Sequence, residues 1–232
     1  MDQYDRMGDS YIRDNESSLI NEYYERPAIR SLIGDVRGLR VLDVGCGPGV
    51  MGEWLLEQGA EVVAGDKSTA MIAAAKARLR DRAAVHHIDL EEPLPFDPEE
   101  FDVVLTSLVV HYVEDWERLF MEFFRVLRDG GRAVVSTHHP FADYRWFDRP
   151  DYFATEPVAD AWKKGGVEFP MEFWRRPLTA MVRAIRGAGF SIDDLVEPLP
   201  LPEAEAIDRD WFRQVSTEPT FLFFVLTKAV GT

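Results

Sequence analysis

The sequence predicts an α/β fold, a mostly parallel sheet with helices on both faces. Two observations carry this. Short apolar runs alternate with amphipathic runs along most of the chain. In addition, Val41-Leu42-Asp43-Val44 reads as a buried strand that feeds Gly45, Gly47 and Gly49, after which a helical pattern starts near Met51. With 232 residues, 46% of them hydrophobic, the chain is large enough for one domain with a full core.

The elements follow in order. Residues 16–34 read as a helix with Leu19, Ile20, Tyr23, Tyr24 and Ile29 as packing positions, kinked or divided at Pro27. After the glycine turn, Met51, Trp54, Leu55 and Leu56 mark a helix face that Gly59 ends. Residues 61–65 form a second strand, with Asp66 just after it. Ser68 or Thr69 caps the Ala-rich helix that runs to Leu79. Residues 83–87 are the third strand, leading to Asp89-Leu90 and then to Pro93, Pro95 and Pro98, where helix is excluded. Residues 101–106 are the fourth strand, followed by Ser107 and an apolar run to His111-Tyr112. Asp115 caps a helix with Leu119, Phe120, Phe123, Phe124 and Leu127 on its apolar face. Gly130-Gly131 closes it, and residues 132–137 are the fifth strand.

From His138 to Trp174 the alternation stops in a stretch crowded with aromatic residues, a connection long enough to predict a functional or mobile segment. Pro177 then opens a helix at its favoured first position, with Leu178, Met181, Val182 and Ile185 as its stripe. Residues 190–195 and 221–226 are the sixth and last strands.

Charge and composition exclude several function classes. The net charge of −15 is a poor match for nucleic-acid phosphates. No apolar run is long enough to span a bilayer, and residues 1–18 are too polar for a signal peptide. The single Cys46 cannot form an intrachain disulfide, which suits a reducing cytoplasm. The expected protein is therefore cytoplasmic, a monomer or homodimer, with a small-molecule partner. The five histidines lack metal-ligand spacing, and no metal is expected.

The glycine turn narrows the ligand. A dinucleotide fingerprint needs a third glycine at position 50, which is Val, so a nicotinamide oxidoreductase is disfavoured. Asp43 beside the loop would repel a pyrophosphate but suits a cation or a hydrogen-bond donor. Asp43, Gly45, Gly47 and Gly49 match E/D-x-G-x-G-x-G, and the stretch resembles motif I of the class I S-adenosylmethionine-dependent methyltransferases. The spacing to Asp66, Asp89 and Ser107, the run Phe101-Asp102-Val103-Val104, His111-Tyr112 and the turn Leu127-Arg128-Asp129-Gly130-Gly131 are similar to the small-molecule, methyltransferase-11/UbiE-like subgroup.

The resemblance implies a Rossmann-like, doubly wound seven-stranded sheet whose last strand is antiparallel. It implies a single domain over residues 1–232, with an N-terminal helical cover near 1–34 and an aromatic lid near 138–175. It also implies S-adenosyl-L-methionine as cofactor. The backbone of Gly45, Cys46, Gly47 and Gly49 would border the methionine part, Asp66 would hold both ribose hydroxyls, and Lys67 and Met71 would lie near the adenine. Asp89 with the Leu90 backbone would meet the adenine edge. Ser107 would stand beside the sulfonium, and Tyr11 would close over the methionine carboxylate.

Methyl transfer needs mainly collinear positioning and exclusion of water, and a base only if the acceptor must lose a proton. His111 and His139, with Tyr112 shaping the pocket, are the expected acceptor-side residues; His138 is the least favoured histidine. The expected reaction is methyl transfer to oxygen, nitrogen or carbon of a small molecule. Two alternatives stay open: an enzyme that cyclises or eliminates S-adenosylmethionine itself, and a non-catalytic cofactor-binding partner protein.

Overall fold

A computed structural model of the chain describes Tyr4, Asp5, Gly8, Ile12, residues 18–164 and residues 167–230. The strands are β1 (Arg40–Val44), β2 (Glu61–Asp66), β3 (Ala84–His87), β4 (Phe101–Ser107), β5 (Leu127–His138), β6 (Glu156–Lys164), β7 (Val167–Arg175), β8 (Phe190–Val196) and β9 (Phe221–Lys228). Seven of them form one sheet in the order β3-β2-β1-β4-β5-β9-β8. The pairs among β1 to β5 are parallel, and β9 runs antiparallel between β5 and β8. The expected doubly wound sheet with its antiparallel last strand is thus the observed one.

Helices α1 (Arg26–Ile33), α2 (Val50–Glu57) and α3 (Thr69–Leu79) cover one face. Helices α4 (Trp116–Val126) and α6 (Leu178–Gly187) cover the other; α5 (Pro140–Trp146) follows β5, and α7 (Arg209–Thr217) adds Val215 and Trp211 to the first core. Alternation along β1 sorts the two cores. Val41 packs with Ile29, Ile33 and Leu55, while Leu42 and Val44 pack with Phe120, Phe123 and Ile185. Ser68 and Asp115 cap α3 and α4 as the sequence suggests, accepting from the N–H groups of Met71 (3.3 Å) and Arg118 (3.0 Å). No helix is long and apolar enough to cross a membrane among the described residues.

Several boundaries differ from expectation. The first helix is not simply kinked at Pro27: a π-helical turn over Asn21–Glu25 runs into α1, and Pro27 sits in the first turn of α1, where a missing N–H is tolerated. Strand β5 begins at Leu127, not at Arg132, because Leu127 pairs with Phe101 and residues 128–131 bulge before the ladder resumes at Arg132. Pro177 is the cap of α6, one residue before its first turn. The aromatic stretch after His138 holds α5 and the antiparallel hairpin β6–β7. That hairpin is a two-stranded sheet of its own, so its residues need not follow the burial pattern of the main sheet.

The strand order reverses between β1 and β4, with β2 on one side and β5 on the other. Crevices outside the carboxyl ends of such strands bind ligands in open α/β sheets.

Candidate active site

A cavity of about 1570 Å³ opens over that crevice. Its floor is the glycine turn. Gly45 has φ +70°, and a Cβ there would lie 2.2 Å from Val109 Cγ2, so the loop and the turn after β4 touch without a side chain between them. Gly47, at φ +53°, has nothing within 4 Å of an added Cβ, and its backbone borders the cavity. The loop is fastened from below. Asp66 Oδ2 accepts from Gly47 N–H at 2.9 Å and its Oδ1 accepts from Ser68 N–H at 2.9 Å. Arg78 Nε donates to Pro48 O at 2.9 Å.

Asp43 is 1% exposed, and its Oδ2 has no hydrogen-bond partner among the described residues. Burial first, then the charges of Asp66 and Glu25, raise its carboxyl to about 7 against the opposing Gly52 N–H. A buried acid in this condition gains from a positively charged ligand. Asp43, Gly45, Cys46, Gly47, Asp66 and Lys67 all line the cavity, as do Met71, Asp89, Leu90 and Ser107. Gly49 does not; with φ +80° it caps α2 and turns the chain into that helix. Tyr11 lies outside the described residues. Lys67 Nζ pairs with Asp89 Oδ2 at 2.7 Å, and Asp89 Oδ1 accepts from Glu91 N–H. Burial would raise the Asp89 carboxyl, but Lys67 and the Glu91 N–H outweigh it and hold it below the usual range.

The described residues of the N-terminal segment reach both ends of the site. Asp5 Oδ1 accepts from Ser68 Oγ (2.6 Å), Thr69 Oγ1 (3.2 Å) and Ala70 N–H (3.1 Å), a carboxylate at the start of α3 where the helix dipole favours it. Tyr4 Oη lies 2.6 Å from Tyr112 Oη. Glu25, which no local sequence pattern singles out, comes from the π-turn. Its Oε1 accepts from Ser107 Oγ and Ser136 Oγ, each at 2.7 Å, at the ends of β4 and β5.

The other end of the cavity is aromatic. His111, 2% exposed, stacks on His138 with ring centroids 3.8 Å apart and 17° between planes. Tyr112 lies 4.4 Å from His111, and Phe173 of β7 meets both imidazoles edge-on. Burial, then the charges of His138 and Arg176, push the His111 imidazole well below its ordinary range, so the ring is neutral near pH 7. Its Nδ1 has no hydrogen-bond partner among the described residues. His138 Nδ1 lies 3.3 Å from Asp143 Oδ1, without the alignment of a hydrogen bond. Phe141 and Trp146 of α5 line the outer wall, Trp146 being 70% exposed.

The histidine order expected from sequence is reversed. His139 does not line the cavity: its Nδ1 accepts from Phe141 N–H at 3.2 Å and caps α5, and its Nε2 lies 2.8 Å from Glu197 Oε1. Successive residues at a strand end face opposite ways, so only one of the pair can face the cavity, and register gives that place to His138.

Known proteins resemble this chain in sequence and in fold. A family model described as a methyltransferase domain matches residues 42–135. A malonyl-[acyl-carrier protein] O-methyltransferase of Salmonella typhimurium is 36% identical over 50% of this chain and 45% of its own length. A demethylmenaquinone methyltransferase of Clavibacter sepedonicus is 35% identical over 57% of this chain and 55% of its own. The chain thus spans about half the length of these two relatives. The crystal structure of an S-adenosylmethionine dependent methyltransferase from Mesorhizobium loti superposes with a TM-score of 0.72 at 27% identity, over 91% of this chain and 99% of that one.

Proposed function

We propose that the chain is an S-adenosylmethionine-dependent methyltransferase and that it methylates a small, planar or apolar acceptor held against His111, Tyr112 and His138. One observation carries the reading. A single cavity joins the Asp43–Gly47 loop and Asp66 to the aromatic wall around His111 and Phe173. The buried Asp43 carboxyl, with its Oδ2 unpartnered among the described residues, and the bare Gly47 backbone fit a ligand that brings positive charge and comes close to the main chain.

When bound, the cofactor supplies a methyl group on a good leaving group. The chain's own residues then have three tasks. Asp66, Met71 and Asp89 fix the ribose and adenine. The glycine loop and Ser107 set the position of the reacting carbon. The imidazole and aromatic wall holds the acceptor in line with it and keeps water out. Gly49 serves by shaping the turn, and Tyr11 would belong to the N-terminal cover. The unpaired, buried Cys46 supports a cytoplasmic location.

Incubation with methyl-labelled S-adenosylmethionine and a metabolite extract, read by mass spectrometry, tests this. Label on a small acceptor is the expected result. Label left on a cofactor fragment, with methylthioadenosine accumulating, would replace transfer by cyclisation or elimination of the cofactor itself. No turnover despite binding would leave a non-catalytic partner.

His111 orients the acceptor in this reading and is not its base, because burial makes the ring a weak proton acceptor. His111→Ala is expected to lower turnover about 10²-fold, the scale of a misplaced reactant. His111→Gln, which can still hydrogen-bond, retains much of the activity, and the rate shows no limb near pH 6–7 that belongs to His111. An acidic limb that disappears in His111→Gln would make it a base after all.

Residues 138–175 and the N-terminal segment act as a cover over the acceptor. Adding S-adenosylhomocysteine is expected to slow amide hydrogen exchange in both segments; slowing at the glycine loop alone would remove the cover from the mechanism.

A further inference from the structure

We propose that the acceptor is an amine on an aromatic or apolar body and that nitrogen is the atom methylated. This rests on the methyl-transfer reading above and names the substrate class that the same cavity fits.

The aromatic half of the cavity is built by α5, the β6–β7 hairpin and the stretch from α7 into β9. On these segments the charged cavity-lining residues, among those described, are Asp143, Asp160, Glu172 and Glu218 against Arg145. Arg145 is already engaged, its Nη1 donating to Glu218 at 2.9 Å. Arg175 and Arg176, at the end of β7, do not line the cavity; they donate to Glu156 and to the carbonyls of Val113 and Glu114. The wall therefore carries an excess of negative charge beside the rings of Trp146, Phe147, Trp162 and Phe173. Asp143 is 6% exposed, so salt screens it little. Carboxylates interleaved with aromatic rings attract an alkylammonium ion and repel an anion.

A second observation is independent of charge. His111 lines the same wall, buried, and its Nδ1 has no hydrogen-bond partner among the described residues. With the ring neutral and its proton on Nε2, Nδ1 accepts a hydrogen bond, and an amine N–H supplies the donor. The transfer itself separates nitrogen from oxygen. An ammonium first gives its proton to water. The freed lone pair forms the C–N bond while the C–S bond breaks and leaves its electron pair on sulfur. Positive charge thus passes from sulfur to the acceptor nitrogen, beside the acidic wall, which stabilises it as it develops. A phenolate or carboxylate acceptor would bring negative charge to the same wall, which would oppose its binding.

Two probes of similar size, benzyltrimethylammonium and benzoate, test the charge preference. Each is titrated, by tryptophan fluorescence, into the chain saturated with S-adenosylhomocysteine. The cation is expected to bind about tenfold or more tightly than benzoate. Asp143→Asn and Asp160→Asn should each weaken the cation roughly 3–10-fold and leave S-adenosylhomocysteine affinity within about twofold of the parent. Asp160 is half-buried on the hairpin, so its variant keeps the test intact should Asp143→Asn fail to fold. Benzoate binding as tight as the cation's, no binding of the cation, or a cation indifferent to both substitutions would overturn the proposal. A metabolite extract split at pH 7 on a cation exchanger then locates the acceptor by charge. Each fraction is incubated with the parent chain and methyl-labelled S-adenosylmethionine, and label should appear on amines of the retained fraction. Label on acids or neutral compounds in the flow-through would overturn the amine and keep methyl transfer. Label in neither fraction nor in the whole extract would remove methyl transfer itself, and the amine with it.

Discussion

Asp43→Asn is expected to stabilise the ligand-free chain above neutral pH while weakening its grip on S-adenosylmethionine. The Asp43 carboxyl rises from its ordinary 3.8 to about 7 in the folded state. Between those two values the folded chain holds a proton that the unfolded chain has released. Stability is therefore fully present below about pH 4 and is lost as pH rises through about 7. The full loss corresponds to roughly 4 kcal/mol, an upper figure because the interior relaxes around a charge. Asn cannot ionise and has no such dependence. At pH 8 the variant should be more stable than the parent by roughly 2–4 kcal/mol, and at pH 4 the two should be close. Urea unfolding at both pH values measures this. A parent whose stability is flat across the window, or a variant less stable at pH 8, would refute the assignment. Affinity for the cationic cofactor should fall at least tenfold in the same variant, since the acid that gains most from a cation is gone. A residue that costs stability alone and helps only with ligand bound belongs to function.

Gly45→Ala is expected to be far more damaging than the same change at Gly47, two residues on. The added carbon would lie 2.2 Å from Val109 Cγ2 and within 2.8 Å of two more Val109 atoms, on a backbone at φ +70°. Overpacking and left-handed strain together amount to roughly 2–5 kcal/mol. The loop or the turn at residues 110–112 must move, and His111 sits in that turn. Both stability and cofactor affinity should therefore drop. Gly47→Ala meets no atom within 4 Å and should lose only the backbone term, about 1–2 kcal/mol. Adding Val109→Ala to Gly45→Ala should recover part of the loss, because it removes the clashing methyls but not the strain. Thermal unfolding of the three variants separates the two contributions. Equal effects at Gly45 and Gly47 would show that contact with Val109 is not what the glycine serves.

The architecture was legible because its signals are local. Strand and helix runs repeat at periods of two and 3.6, and the E/D-x-G-x-G-x-G turn uses neighbouring residues. Most of the expected cavity-lining residues followed the same logic, since Gly45, Asp66, Lys67, Asp89 and Ser107 stand at or just beyond the carboxyl ends of parallel strands and so reach the same sheet edge. The aromatic stretch was legible only as an interruption. Its hairpin packs Phe173 against imidazoles from two distant elements, a partnership no local pattern encodes.

By itself, then, the sequence determined the doubly wound sheet, its crevice and the chemistry of the glycine loop. Tertiary structure alone decided which histidine lines the cavity and which buried acid joins it. His138 and His139 are adjacent and chemically identical, and only the register of β5 against β9 assigns one to the cavity and the other to a helix cap. Glu25 meets Ser107 and Ser136 across 82 and 111 residues of chain. A contact of that separation forms because packing brings a π-turn to the ends of two strands, and nothing in the residues around Glu25 announces it.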